Sequence, residues 1–347
     1  MNNTPKVAVI GTIYGLLIYL LHSSEDQFLN TTFFLNKKYS SCAEKLPVCI
    51  LLENKEPESD SCTWWWNFCS LLWGGVLRIK RGTIWRKYFI NSEIFAQDQF
   101  SFASALIGND DYVLISDGFN DFACHISSDL YEISSSWRSS LNLKKRVLKF
   151  FFGPIWMGWF GLTNQCRGLL HENPQQIPYA LRTLDLLKVD FKEKWSEASE
   201  GKKKYICDIF GVTETDIREI TSKKVLLLAQ PFEKTDLAEE ALVEIYKNAL
   251  RAYKPSEVII KTHPLSTLDY KKHFPDYFVF EKNIPMQLLV LCGVQNISHV
   301  ITINSTAVSM FSRDVNIVWL GTDCHPDLFK HYGRSLKEEV LYCSQRT

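Results

Sequence analysis

The N-terminal apolar run, residues 7–21, most constrains what this chain can fold into. It is too short for a membrane-spanning helix, which needs about 20 residues, and it has neither a cleavage site of small residues nor a flanking basic cluster. Gly11 and Thr12 divide it into an apolar strand, residues 6–10, and a helix that begins at Ile13. Doubly wound α/β domains begin with such a strand, glycine turn and helix, so we expect one here rather than a membrane anchor or signal peptide.

Short apolar runs separated by polar loops recur along the rest of the chain. Those with the pattern of strands are residues 32–35, 49–52, 112–115, 223–231, 258–261, 277–280, 299–303 and 315–320. Helical spacing of apolar residues predicts helices between some of them, as in residues 100–107 and 236–251. Strands that alternate with helices predict parallel sheets, and 347 residues exceed what one core usually organises.

The fold class predicted from this pattern is α/β, with two Rossmann-like, doubly wound domains facing a cleft. We expect an N-terminal domain at residues 1–165, a connecting segment at residues 166–220 and a C-terminal domain at residues 221–347.

Composition excludes some classes of function. The 39 basic and 39 acidic residues balance, which argues against a nucleic-acid partner because such proteins usually carry a basic excess. The ten cysteines are spread along the chain without a CxxC pair, so we expect free thiols in a reducing cytoplasm and no metal site.

Polar residues follow several predicted strands, and in an open parallel sheet ligands bind outside the carboxyl ends of strands. His263 follows the strand at residues 258–261, and Pro264 after it keeps it in extended backbone. Its imidazole can donate a hydrogen bond or a proton to a phosphate, or it can be a structural histidine in a turn.

A second polar group, Asn304, Ser305 and Thr306, lies between a predicted strand and a helix. Adjacent hydroxyls and the free backbone N–H groups of a helix start can bind an anion, although an ordinary helix cap has the same pattern. Gln230 ends the strand at residues 223–231 and belongs to the same predicted edge of the second sheet.

Three acids are candidate general bases. Asp117 ends the strand at residues 112–115 beside Gly118, where it can accept a proton or orient a hydroxyl, or simply form a turn. Glu233 and Asp236 follow the strand that ends near Gln230; each is a candidate base or a solvated acid at a helix start.

Several ordered segments resemble bacterial glycosyltransferases of family 52, which include lipooligosaccharide and capsule sialyltransferases. These segments are residues 95–101, 114–118, 228–231, 261–264, 283–289 and 305–307. Residues 261–264 match the family's His-Pro motif, and residues 305–307 match its Ser/Thr-rich phosphate motif. Ser116 and Phe232 stand where the family has acids.

The resemblance implies a GT-B fold and an inverting, metal-independent transfer of sialic acid from CMP-sialic acid to a glycan hydroxyl, with no further cofactor. The N-terminal domain would then serve the acceptor and the C-terminal domain the nucleotide sugar. His263 would assist the leaving phosphate, Ser305 and Thr306 would hold it, and one of the three candidate acids would be the base. The other donor-side residues are then Pro264, Asn304, Gln230 and Gly118.

Two other functions remain open at this point. The same fold could use a UDP-hexose donor, or the chain could be a non-catalytic scaffold in polysaccharide assembly.

Basic residues adjoin aromatic ones at residues 144–160, and three tryptophans occupy residues 64–66. Such stretches can pack in a core or a homodimer interface, or they can contact the inner membrane leaflet. The second interpretation predicts a cytoplasmic enzyme, peripheral on the inner membrane, that acts on a lipid-linked glycan.

Overall fold

The structure is a computed structural model of the chain. It describes residues 4–53, 64–117, 147, 161–172, 184–232, 235–263, 266–281, 283–293, 296–311 and 314–335. The chain divides into two compact units, Met1–Ile209 and Phe210–Thr347. This division falls inside the segment that we expected to connect the domains, and residues 166–209 belong to the first unit.

The first unit contains a parallel sheet of seven strands within the described residues, in the order β3-β2-β1-β4-β5-β6-β7. The strands are β1 (Lys6–Ile10), β2 (Thr31–Asn36), β3 (Val48–Leu52), β4 (Glu93–Ala96), β5 (Tyr112–Ile115), β6 (Cys166–His171) and β7 (Asp185–Lys188). The strand order reverses between β1 and β4, which makes this pair the topological switch point of the sheet.

Helices pack on this sheet and follow its strands. They are α1 (Ile13–His22), α2 (Glu25–Leu29), α3 (Ser40–Ala43), α4 (Trp64–Gly82), α5 (Arg86–Phe89), α6 (Ser101–Ile107), α7 (Phe191–Glu197) and α8 (Glu200–Phe210), the last of which crosses the division between the units. α1 begins where the Thr12 hydroxyl accepts a hydrogen bond from the Gly15 N–H. Most of its side chains are buried, as are those of β1 and β2, so the N-terminal apolar run belongs to the core.

The second unit contains a parallel sheet of five strands within the described residues, in the order β10-β9-β8-β11-β12. The strands are β8 (Val225–Leu228), β9 (Val258–Lys261), β10 (Phe278–Phe280), β11 (His299–Thr302) and β12 (Asn316–Trp319). Its helices are α9 (Glu214–Thr221), α10 (Glu239–Leu250), α11 (Tyr270–His273), α12 (Met286–Leu291) and α13 (Pro326–Tyr332). The order of this sheet reverses between β8 and β11.

The two parallel sheets confirm the predicted α/β class with two Rossmann-like domains, and every strand predicted from an apolar run is present. Strands β4, β6 and β7 were not predicted. All three are short; β4 and β7 begin with a charged residue, and β6 contains a glycine. The helix expected after Asn304 is a single 3-10 helix, Thr306–Met310, which Ser305 caps.

Candidate functional site

Three side chains meet at the switch point of the first sheet, just beyond the ends of β1, β4 and β5. Gln97 is fully buried. Its Oε1 accepts hydrogen bonds from the backbone N–H groups of Gly11, at 2.9 Å, and Thr12, at 3.0 Å. Because a backbone N–H can only donate, Oε1 must face these groups, so Nε2 faces the other way. There Nε2 lies 3.2 Å from Asp117 Oδ1 and donates to it.

Asp117 receives a second hydrogen bond from the Thr12 hydroxyl, with Oγ1 at 2.8 Å from Oδ1. Burial raises the pKa of Asp117, and the hydrogen bonds from Thr12, Gln97 and Gln99 only partly oppose that rise. The carboxylate is therefore held in one orientation and takes up a proton more readily than an exposed aspartate. These are the properties of a general base.

Two further ionisable groups lie near the same edge of the sheet. Burial raises the pKa of Tyr39, and the charge of Asp117 raises it further, so the phenol stays protonated and able to donate. Glu172 directly follows β6, the neighbour of β5. Burial raises the pKa of Glu172, and a hydrogen bond that its carboxylate accepts from Tyr14 opposes the rise. The edge thus holds two carboxyl groups whose protons are retained to higher pH than usual.

Gly15 on α1 leaves the space that the Gln97 side chain fills. A Cβ at this position would lie 2.6 Å from Gln97 Cδ and 2.7 Å from both Nε2 and Oε1. Such contacts are closer than real Cβ atoms tolerate, so Gln97 can keep its hydrogen bonds only while residue 15 lacks a side chain.

We expect Gly15→Ala to destabilise the protein by about 1–3 kcal/mol through this overlap, although alanine normally favours a helix over glycine by about 1 kcal/mol. Gly82→Ala is the matched control, since a Cβ there meets nothing within 4 Å. Denaturant unfolding should show the loss in the first variant alone. Equal stability of the two variants would contradict the close packing of Gln97 on α1.

The second sheet has polar groups at its own switch point, beyond β8 and β11. The Thr302 hydroxyl donates to Leu228 O across the two strands at 3.1 Å and accepts from the Ser305 N–H at 3.0 Å. Ser305 is buried, and its Oγ accepts from the Ala307 N–H at 3.4 Å, which leaves its hydroxyl proton available to a ligand. The Gln230 N–H is held by the Tyr246 hydroxyl at 3.1 Å. These bonds hold the backbone on both sides of the switch point.

His263 lies on the same edge, two residues beyond the end of β9, and is half-buried. Its carbonyl oxygen accepts from the Ser266 N–H at 3.0 Å. Lys261 is buried, which lowers its pKa to about 8, and its Nζ donates to Thr262 O at 2.9 Å. Because β8 alone separates β9 from β11, the backbones near His263 and Ser305 are roughly 10 Å apart. A phosphate-containing ligand can bridge that distance.

The structure groups some of the predicted residues and separates others. His263, Gln230, Asn304 and Ser305 follow strands at one edge of the second sheet, whereas Asp117 belongs to the edge of the first. Asp236 is exposed and forms an ion pair with Lys330 at 3.5 Å, whereas Asp117 is partly buried. Glu233, Pro264 and Gly118 lie outside the described residues, and for Thr306 only the backbone is described.

Four residues of the candidate site were not predicted from the ends of the predicted strands: Gln97, Thr12, Tyr39 and Glu172. Gln97 and Thr12 each follow a strand directly or within two residues, which is the signal that pointed to Asp117 and His263. Among the described residues, no three His, Cys, Asp or Glu side chains are placed to hold a metal ion together.

Comparison with protein families decides the class of this chain. The model of glycosyltransferase family 52 matches residues 102–323, which is more than half of the chain. The chain belongs to glycosyltransferase family 52. It is therefore a glycosyltransferase, as the ordered segments had predicted. The switch-point edges of both sheets contain residues within or next to the matched range.

Solved structures support the GT-B fold. The GT-B domain of a sialyltransferase from Photobacterium damselae is 12% identical, with a TM-score of 0.52 and coverage of 90% of this chain and 89% of that one. A 2,6-sialyltransferase from Photobacterium sp. JT-ISH-224, solved with the donor product CMP and the acceptor substrate lactose, is 11% identical. Its TM-score is 0.54, and the match covers 90% of this chain and 70% of that one.

In sequence, an uncharacterized protein of Haemophilus influenzae is 27% identical over 175 residues, which are 50% of this chain and 56% of that protein. The match therefore spans little more than half the length of this relative. No helix in the described part of this family 52 enzyme has the length and apolar character needed to cross a membrane.

Proposed function

We propose that this enzyme transfers sialic acid from CMP-sialic acid to a hydroxyl group of an oligosaccharide, with inversion at the anomeric carbon and without a metal ion. The observation that carries the proposal is the partly buried carboxylate of Asp117, which Thr12 and Gln97 hold at the switch point of the first sheet. The similar Photobacterium enzyme, bound to CMP and lactose, supports the choice of donor and acceptor class.

On the acceptor side, the oxygen of the acceptor hydroxyl attacks and bonds to the anomeric carbon. Asp117 takes the proton of that hydroxyl. The bond from that carbon to the phosphate oxygen of CMP breaks, and the electron pair leaves with the phosphate. Attack opposite the leaving group inverts the anomeric configuration. We assign the base to Asp117 over the exposed Asp236, because Asp117 combines partial burial, a raised pKa and two defined hydrogen bonds.

On the donor side, negative charge grows on the departing phosphate. We assign His263 to donate a hydrogen bond or proton to it, and Ser305 and Thr306 to bind its oxygens, with Asn304 and Gln230 beside them. A well-placed donor of this kind contributes about 3 kcal/mol of transition-state stabilisation. The proposal therefore needs no metal to neutralise the phosphate.

The biological setting follows the resemblance to lipooligosaccharide and capsule sialyltransferases. We place the enzyme at the cytoplasmic side of surface-polysaccharide synthesis, with a lipid-linked glycan as its acceptor.

A donor screen tests the proposal. Purified enzyme is incubated with lactose and with CMP-sialic acid or a panel of UDP-hexoses, with and without a chelator, and the glycan product is identified by mass spectrometry and NMR. We expect a sialylated product from CMP-sialic acid alone, unchanged by the chelator. A product from a UDP-hexose, or loss of activity with the chelator, would contradict the donor or the metal-independent mechanism.

The Gln97 amide should control the pH dependence of the reaction. In Gln97→Glu, Oε1 can still accept from Gly11 and Thr12, but a carboxylate replaces the amide donor beside Asp117. The added negative charge should raise the pKa of Asp117 and move the acidic limb of the kcat profile to higher pH. Gln27→Glu, in the cap of α2, is the matched control and should leave that limb in place. If the pH profiles of kcat for the two variants coincide, Gln97 does not act on Asp117 in the reaction.

A further inference from the structure

The second half of α4 exposes apolar side chains along one face. Leu72, Val76 and Ile79 are exposed at spacings of four and three residues, which places them on one stripe of the helix. Ile84, in the turn after α4, and Ile90, just after α5, are exposed as well, and Ile79 and Ile84 each keep 67% of their surface open. We call residues 72–90, which carry these five exposed side chains, the apolar surface, and clustered exposed apolar residues of this kind mark interaction sites.

In sequence, the charged residues of this region have one sign. Residues 61–92 contain five Lys or Arg residues and no Asp or Glu, although the whole chain has no net charge. The basic residues are Arg78, Lys80, Arg81, Arg86 and Lys87. The segment that carries the apolar stripe and the following turn is therefore basic.

Not all of these charges are directed outward. Arg81 forms an ion pair with Asp110 and lies over the ring of Phe89. Lys80 lies 5.9 Å from the ring centre of Trp73 and 5.5 Å from that of Trp85.

Of the five basic residues, Arg86 and Lys87 are exposed and the other three are partly buried. Trp73 and Trp85 are half-buried, with Lys80 over both rings, as amphipathic rings are at a membrane–water interface.

We propose that residues 72–90 dock this enzyme on an anionic lipid bilayer, with Ile79 and Ile84 in the interfacial region and Arg86 and Lys87 on the lipid phosphates. The basic residues of this surface favour an anionic bilayer over a second copy of the chain. A second copy bound through the same surface would bring like charges together across a two-fold axis. α4 does not qualify as a membrane-spanning helix, so contact at the surface is the mode that its pattern fits.

Vesicle co-sedimentation of the full chain tests the proposal. The vesicles are phosphatidylcholine alone or with about 30% phosphatidylglycerol, at low salt and at about 0.5 M salt. We expect binding to the anionic vesicles, lost at high salt, and little binding to phosphatidylcholine. Equal binding to both, or none to either, would overturn the proposal.

Paired variants assign the binding to this surface. Arg86→Gln with Lys87→Gln removes two charges and should weaken anionic binding by roughly 25-fold, at about fivefold for each basic residue. Lys271→Gln with Lys272→Gln, two exposed lysines of α11, removes the same charge and should have no effect. Equal loss in both double variants would mean that net charge, and not this surface, drives binding.

Ile79→Ser tests the apolar contribution and should also weaken binding, whereas Leu29→Ser, at a residue 54% exposed on α2, should not. Circular dichroism checks that each variant is folded. Light scattering of the unmodified chain and of Ile79→Ser provides a separate readout. A dimer that Ile79→Ser dissociates would assign this surface to a second copy and overturn the lipid proposal. The outcome does not depend on which sugar the enzyme transfers.

Discussion

Asp117→Asn is expected to lower kcat by about a hundredfold to ten-thousandfold, with little change in the KM for the donor. Asparagine keeps an Oδ1 that can accept from Thr12 and Gln97, so the local structure should survive. It cannot accept a proton from the acceptor hydroxyl, so the chemical step should fail. Initial rates with CMP-sialic acid and lactose measure the effect. Asp111→Asn, an exposed aspartate in the same unit, is the control and should keep its rate.

The same substitution should leave the protein as stable as before or more stable at neutral pH. The folded-state pKa of Asp117 is raised, so the folded state binds a proton more tightly than the unfolded state. Stability from this group is therefore present at low pH and is lost as pH rises through the folded pKa. Asparagine does not ionise, so the variant does not lose stability in this way as pH rises.

Thermal unfolding at pH about 4 and pH about 8 measures this difference, and the advantage of Asp117→Asn should grow with pH. An active variant would remove Asp117 as the base. An inactive variant that is also less stable at high pH would mean that the substitution disturbs the fold.

The strands were predictable from sequence because a buried parallel strand is a run of consecutive apolar residues. Lys6–Ile10, Val258–Lys261 and Tyr112–Ile115 each form a run of mostly apolar side chains, and each is a strand with the predicted bounds. The residue that follows such a run can therefore be placed at the ligand edge of a sheet.

Side-chain contacts between strands were not predictable in this way. Gln97 lies 86 residues from Gly11 and 20 residues from Asp117 in sequence, and these residues meet only because β4 enters the sheet between β1 and β5. Nothing in the four residues of β4 encodes that neighbour order. Burial was not predictable either, because Asp117 and Asp236 both follow strands, yet Asp117 is partly buried and Asp236 is exposed.

The donor side yields the second large effect. His263→Ala should lower kcat by about a hundredfold to a thousandfold, because the imidazole would no longer stabilise charge on the departing phosphate. His263→Gln separates two contributions, since glutamine can donate a hydrogen bond but cannot deliver a proton. Recovery of activity in His263→Gln would assign hydrogen bonding as the main role of His263. Equal losses in both variants would assign proton transfer.

The control for His263 is the other His-Pro pair in the chain. His325 precedes Pro326 at the start of α13, and its Nδ1 accepts from the Asp327 N–H at 3.3 Å, so its role is that of a helix cap. His325→Ala should cost about 1 kcal/mol of stability and leave kcat near its original value. Matching losses of kcat in His263→Ala and His325→Ala would show that the effect comes from the fold of the second unit. A loss confined to His263→Ala would instead place the imidazole at the leaving group.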